Sequence, residues 1–201
     1  MGESVFVVAV FLDVRGFSRF AGIAESVQAA FFLKRFYLGV LTEYLPNHTF
    51  AKPSGDGLMV IFEYSEDDVA ACTCAVMEGC VRLMDDYPSW IVDDPMITFE
   101  IPPNIGIGVA RDAATRIATR DGTVVDYTGR PLNLAARLMG LARPQGIVVD
   151  RHVMTVLPPE HANGFESENV YMKGIAVTEP RPVCFRSGAV IDDYAKRPPA
   201  N

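Results

Sequence analysis

Positive charge is in short supply. The chain carries 18 Lys and Arg against 25 Asp and Glu, a net charge of −7. Such a surface repels phosphate backbones, which excludes a nucleic-acid groove. A small anionic substrate would need metal ions or a few well-placed basic residues. Cysteine is also scarce. Cys72, Cys74, Cys80 and Cys184 form no C-x-x-C pair, and three of them crowd into one apolar stretch. They read as reduced thiols of a cytoplasmic protein rather than zinc ligands or disulfides. No long hydrophobic run is present. The N-terminus, MGESVFVVAVFLD, lacks a basic segment and meets Asp13 after a short apolar run. It reads as neither a secretory signal nor a membrane span, so no membrane partner is expected. Phe6 breaks the myristoylation pattern that Gly2 begins. A Walker A sequence and a G-x-S-x-G elbow are both missing, and Gly106-x-Gly108 alone is too weak to argue a dinucleotide.

What remains is an ordinary globular composition. The 201 residues are 49% hydrophobic, 21% charged and 10% aromatic. One domain of this size hides roughly 70% of its unfolded surface and needs no staples.

Val5 to Leu12 is an unbroken β-branched and aromatic run, the pattern of a strand buried on both faces. Glu25 to Leu45 has helical spacing at Val27, Ala30, Phe31, Leu38, Leu41 and Leu45, and Pro46 ends it. Phe50–Pro53 and Leu58–Phe62 predict a hairpin around Ser54-Gly55-Asp56-Gly57. Asp67 to Met84 predicts a second helix. Pro88, Pro95, Pro102 and Pro103 interrupt Asp85 to Pro103, which predicts a long lid-like loop. Strands follow at Asn104–Ala110 and Thr123–Val125, then a helix over Pro131–Leu141 with Pro in its first turn. Ile147–Val149, Phe165–Met172 and Pro182–Arg186 predict the last strands, with a short helix over Arg151–Leu157. The order is β-α-β-β-α-β followed by more α and β. This predicts an α+β protein, a ferredoxin-like βαββαβ core with a C-terminal α/β extension. The domain is expected to span residues 1–187, with a polar, Pro-containing tail over 188–201 that frays.

Two carboxylates stand where structure alone does not require them. Asp13 ends an otherwise apolar strand, and Asp56 sits at a hairpin tip between two glycines. The first strand's end and the hairpin tip lie side by side in a ferredoxin-like sheet. Two carboxylates meeting there repel unless a cation sits between them. Taken singly, each has a plainer reading, as a cap and as a turn residue. Taken together they point to a pair of Mg²⁺ or Mn²⁺ ions. Asn133 and Arg137 are four apart on one helical face, opposite Leu134, Leu138 and Leu141. They suit a ribose and a phosphate, or equally a solvated face.

Phe11-Leu12-Asp13-Val14-Arg15-Gly16-Phe17-Ser18 resembles the first metal motif of class III nucleotide cyclases. Lys52-Pro53-Ser54-Gly55-Asp56 is similar to their second. Asn104 to Gly108 resembles the strand before their dimer-side segment. Asp126 to Arg137 matches their base-reading and transition-state segment, and Tyr171-Met172-Lys173-Gly174 their late triphosphate motif. The resemblance covers residues 5–186 in the family's order. It implies that Asp13, Asp56 and the Val14 carbonyl hold two divalent ions, Mn²⁺ or Mg²⁺. It implies that Asn133 positions the ribose, Arg137 stabilises the transition state and Lys173 holds the pyrophosphate. Phe17, Lys52 and Asp126 fall at substrate-binding positions, the last two where adenylate cyclases read adenine. It also implies a homodimer with shared active sites, acting on a nucleoside triphosphate.

The base is a separate question. The bare cyclase domain, with Ala113 to Ile117 and Asp126 to Met139, resembles the stand-alone pyrimidine cyclases of bacterial antiphage (Pycsar) systems. That resemblance implies UTP first and CTP second, with the cyclic nucleotide as an alarm signal. Phe50, two residues before Lys52, is read as narrowing the pocket for a single-ring base, or as a core strand residue. Lys52 with Asp126 argues instead for ATP. A non-catalytic cyclase-like dimerisation or nucleotide-binding module is the rival of another class.

Overall fold

The computed structural model describes residues 2–198; the last three residues of the expected tail, and Met1, lie outside the described residues. β1 (Gly2–Arg15) leads to α1 (Phe17–Ile23) and α2 (Ser26–Gly39), which continues as a π-helical turn over Val40–Tyr44. The hairpin β2 (Phe50–Ser54) and β3 (Gly57–Tyr64) precedes α3 (Val69–Asp86) and the short α4 (Ser89–Val92). β4 (Asn104–Ala118) and β5 (Val124–Thr128) lead into α5 (Arg130–Leu141). Then come β6 (Gly146–Asp150), α6 (Arg151–Met154), α7 (Pro159–Ala162), β7 (Glu166–Met172) and β8 (Ala176–Arg186).

One sheet runs β2-β3-β1-β4-β6-β8-β7, with β5 paired to the far end of β4. The first four strands are antiparallel neighbours in the expected ferredoxin-like order. β6 runs parallel to β4 and opens the C-terminal extension. The α+β fold class read from the sequence is therefore the observed one.

β1 is buried on both sides, and its residues alternate between two cores. Val8, Val10, Leu12 and Val14 join Phe32, Phe36, Val76 and Leu83 beneath α2 and α3. Val7 and Ala9 join Leu134, Ala135 and Leu138 beneath α5, with Phe11 packed alongside. Strand parity then sends Asp13 and Arg15 to the α5 side of the sheet with Phe11.

Several expected boundaries move. β1 continues past Asp13 to Arg15, so Asp13 is inside the strand, opposite Gly57 of β3 and Gly106 of β4. β4 runs on to Ala118, because β1 and then β5 continue to pair with it. The inward face of α2 is Phe32 and Phe36, continued by Val40 and Tyr44; Val27, Phe31 and Leu38, expected in the core, are exposed. Both sets satisfy helical spacing, and only the sheet decides between them.

Residues 85–103 are not a lid. Tyr87, Ile91 and Ile97 are buried in the α2–α3 core, and the Tyr87 hydroxyl donates to the Pro102 carbonyl. Trp90 packs on Tyr44, and the Arg35 guanidinium lies 4.6 Å from its ring centroid. Apolar side chains spaced between the prolines tie the segment down. Part of the described tail is also held against the domain. Ala189 and Ile191 are buried, and Tyr171 donates its amide to Ala195 at 2.7 Å.

Candidate active site

The hairpin tip is fixed from two directions. The Val14 amide donates to the Asp56 carbonyl at 3.2 Å, and the Tyr37 hydroxyl of α2 donates to the Gly55 carbonyl. Gly55 takes φ 63°, the left-handed turn that a glycine accommodates without strain. Asp56 is thereby set beside the end of β1, next to Asp13. Burial raises the Asp13 carboxyl above its ordinary value, and the charge of Asp56 raises it further. Arg15 and, more weakly, Arg143 act in the opposite sense. Asp13 thus feels the charge of Asp56.

Arg15 answers part of that negative charge. Its guanidinium pairs with Asp13 and donates to the Met139 carbonyl and, at 3.0 Å, to the Ala142 carbonyl at the end of α5. The side chain reaches α5 over Gly106, where a Cβ would lie 2.0 Å from an Arg15 nitrogen. The resemblance assigned no role to this arginine. The apolar strand ending in Asp-x-Arg opposite a glycine was the only available signal.

A second group forms on the same side of the sheet. Lys52 on β2 donates to Asp126 on β5 at 2.6 Å. They line a cavity of about 300 Å³ with Phe11, Met59, Tyr127 and Asn133. Burial pushes Asp126 up, but the hydrogen bonds from Lys52 and the Tyr127 amide outweigh it, and the net shift is down. Phe50 does not line this cavity. Its ring packs on Tyr127, 5.5 Å between centroids, one strand position further out. The apolar walls are Phe11, Met59 and Leu132.

α5 starts after Gly129, with Pro131 in its first turn. Leu134, Ala135 and Leu138 bury one face, which leaves Asn133 and Arg137 exposed on the other. Asn133, Arg137 and Lys173 line a further cavity of about 370 Å³. Asn133 is common to both cavities, so the Lys52–Asp126 pair leads directly to the cations Arg137 and Lys173. Lys173 is presented by the turn between β7 and β8, beside Gly174 at φ 80°. Neither cavity is lined by Asp13 or Asp56. The structure thus gathers the predicted residues into two groups rather than one. Phe17 stands apart from both through its ring, which stacks on Phe32 at 6.1 Å in the aromatic core.

The cysteines are unpaired, and burial pushes the Cys80 thiol up to about 12. No nucleophile is expected from it. No described helix is long and apolar enough to cross a membrane.

No family model and no curated protein matches this chain. Solved structures do. The adenylyl cyclase CyaB from P. aeruginosa superposes with a TM-score of 0.68 at 16% identity, covering 96% of this chain and 97% of that one. A guanylyl cyclase matches with a TM-score of 0.70 at 16% identity, over 94% and 95% of the two chains. The guanylate cyclase domain of RhGC from Catenaria anguillulae, in complex with GTP, gives 0.66 at 12% identity, over 94% and 98%. The chain has the class III adenylyl and guanylyl cyclase fold over nearly its whole length.

Proposed function

We propose that the protein is a nucleotidyl cyclase, forming a 3′,5′-cyclic monophosphate and pyrophosphate from a nucleoside triphosphate. The observation that carries this reading is Asn133. It joins a cavity holding a paired donor and acceptor, Lys52 and Asp126, to one holding two cations, Arg137 and Lys173. A base edge, a ribose and a polyphosphate need that sequence of groups.

In the reaction the 3′-oxygen attacks the α-phosphorus. The bond from that phosphorus to the bridging oxygen breaks, the hydroxyl proton leaves to solvent, and pyrophosphate departs. Arg137 offsets the charge that gathers on the α-phosphoryl oxygens. Asn133 fixes the ribose so that the 3′-oxygen faces the phosphorus. Lys173 holds the departing pyrophosphate. Asp13 and Asp56, with the Val14 carbonyl, fit two divalent cations: the charge of Asp56 raises the proton affinity of Asp13, and Arg15 shows that a cation is favoured there. Hard ions at such sites take one or two carboxylates and fill their other positions with phosphate oxygens and water. When bound, Mn²⁺ or Mg²⁺ would neutralise the triphosphate and acidify the 3′-hydroxyl. Among the described residues no cluster of three His, Cys, Asp or Glu side chains is poised for a metal, so an ion held by Asp13 and Asp56 would draw its other ligands from substrate oxygens and water.

The two groups of residues lie in separate places in one chain. A homodimer would join them, one subunit giving Asp13 and Asp56 and the other Lys52, Asp126, Asn133, Arg137 and Lys173. For the base, our reading ranks UTP first and CTP second, with the product an alarm signal in bacterial antiviral defence. Its support is the likeness of residues 126–139 to pyrimidine cyclases. The Lys52–Asp126 hydrogen bond favours a second reading, adenylate cyclase, because adenine offers a ring acceptor beside an exocyclic donor.

Purified protein with Mn²⁺ or Mg²⁺ and each of the four triphosphates, followed by mass spectrometry, tests both levels. A kcat/KM for ATP above those for UTP and CTP with either metal would overturn the ranking. No cyclic product from any triphosphate would leave only the non-catalytic module.

A further inference from the structure

We infer that Glu63 is a positioning residue for the base cavity, fixing through Tyr127 the strand that carries Asp126. That the cavity takes a nucleobase rests on the cyclase reading; the fixing of β5 does not.

β5 needs an anchor. It is five residues long and is paired to β4 outside the main strand order. Its register with β4 shifts between Ile117 and Ala118, beside the pair that Asp126 makes with Ile117. A short edge strand with a broken ladder opens easily. Asp126 must also travel. In the pairing order β3, β1 and β4 stand between β2 and β5. Strands lie about 4.8 Å apart, so in a flat sheet β2 and β5 would be about 19 Å apart. Yet Lys52 of β2 donates to Asp126 of β5 at 2.6 Å. The β4–β5 hairpin therefore folds back across the sheet, and backbone pairing with β4 cannot hold it there.

Glu63 on β3 supplies the tether. The Tyr127 hydroxyl donates to its Oε1 at 2.6 Å. One terminal nitrogen of Arg116 on β4 donates to both Glu63 oxygens, at 3.1 and 3.0 Å, and the other pairs with Glu3 on β1. Four strands thus meet at one carboxylate and its arginine. The Tyr127 ring is buried in the core that Met59, Ile61 and Ala114 share, and Phe50 packs on it. Burial and Glu63 raise the Tyr127 phenol above its ordinary value, so it stays a donor at neutral pH. The Tyr127 amide in turn donates to Asp126 at 2.9 Å. Glu63, Arg116 and Glu3 do not line the base cavity, whereas Tyr127 and Asp126 do. Glu63 therefore acts through Tyr127, and Phe50 buttresses the same ring.

The test compares wild type with Tyr127→Phe, which removes only the hydroxyl, with Glu63→Ala, and with Glu63→Gln, which keeps an oxygen acceptor. Leu83→Ala, in the core on the other face of the sheet, controls for lost stability. Asp126 is titrated by NMR and β5 amide exchange is followed in the nucleotide-free chain. Hydrogen bonds from Lys52 and the Tyr127 amide hold Asp126 below its ordinary value. In Tyr127→Phe and Glu63→Ala its pKa should rise towards that value, and the β5 amides should exchange about tenfold faster. Glu63→Gln should recover part of both changes, and Leu83→Ala should leave the Asp126 titration as in wild type. With the best triphosphate, KM should rise about fivefold and kcat stay within about twofold, because a base contact is made in ground and transition states alike. Should Glu63→Ala fail to fold, Tyr127→Phe decides alone. An unmoved Asp126 in Tyr127→Phe, an equal rise in Leu83→Ala, or a fall in kcat at constant KM overturns the assignment. The cyclase reading fails separately. A raised Asp126 pKa with faster β5 exchange, but no cyclic product from wild type with any triphosphate, would keep the positioning role and remove that reading.

Discussion

Burial and the charge of Asp56 hold the Asp13 carboxyl above its ordinary value, and Arg15 and Arg143 offset them only in part. A carboxyl raised by folding binds more protons in the folded state than in the unfolded one. Its ionised form therefore weakens the fold as pH climbs past the ordinary carboxylate value. Asp13→Asn removes the charge at nearly constant shape. In metal-free buffer at neutral pH its melting temperature should exceed that of wild type. The difference should shrink as pH falls towards the ordinary carboxylate value. The same variant should lose nearly all cyclisation, because half of the carboxylate pair is gone. A lower melting temperature at neutral pH would mean that the Arg15 pair outweighs burial. Asp126 behaves in the opposite way. Burial pushes it up, but its hydrogen bonds hold it below the ordinary value, so its contribution is present above that value and fades as pH falls through the lowered one. Lys52 and Asp126 are 53% and 32% exposed, so their pair adds little to stability. Lys52→Met should raise the Asp126 pKa in an NMR titration while barely changing the melting temperature. An unmoved Asp126 would show that the Tyr127 amide, not Lys52, sets its acidity.

α5 is the element on which the site depends, and β4 makes room for it. A Cβ on Gly108 would lie 2.1 Å from the Ala135 carbonyl oxygen and 2.2 Å from the Met139 nitrogen. Backbone cannot yield as a side-chain tip does. Gly108→Ala should therefore push α5 off the sheet and cost about 1–3 kcal/mol, read as a lower urea midpoint with an unchanged slope. Turnover should drop as well, since Asn133 and Arg137 ride on the displaced helix. An unchanged midpoint would show that α5 slides without strain. The sequence announced α5 well, because Leu134 and Leu138 oppose Asn133 and Arg137 at helical spacing. It also announced the β2–β3 hairpin, whose turn chemistry is local. It concealed features that depend on neighbours. Val27, Phe31 and Leu38 compete with Phe32, Phe36 and Val40 for the inward face of α2, and periodicity cannot choose between two apolar stripes. Prolines around Trp90 look like a loop until Tyr87 and Ile91 find the core. Gly106 and Gly108 look like weak nucleotide signals, yet they make space for Arg15 and for the α5 backbone. Phe50 shares a strand face with Lys52 but lies one position too far along to wall the base cavity, a matter of register that spacing leaves open.

At the scale of the molecule the site residues divide between two places. Asp13 and Asp56 sit at the β1 end beside the C-terminus of α5, while Asn133, Arg137 and Lys173 line a cavity along its outer face. Neither of the two cavities that Asn133 lines includes Asp13 or Asp56. Apolar side chains stay uncovered on α2 at Val27, Phe31 and Leu38, and on the β4–β5 hairpin at Ile117 and Val125. Exposed apolar groups of this kind fit a surface covered on assembly. In the proposed two-fold dimer each site would take its carboxylates from one subunit and its helix residues from the other. Asp56→Ala and Arg137→Ala should then each be inactive alone. Mixed in equal amounts with free subunit exchange, half of the dimers become heterodimers. In each of these one site has lost both groups and the other is intact. Activity should return to about a quarter of the wild-type value, one working site in every four. The measurement is pyrophosphate release at fixed total protein, with exchange confirmed by native mass spectrometry of differently tagged subunits. Proven heterodimers without recovered activity would place each complete site within a single chain.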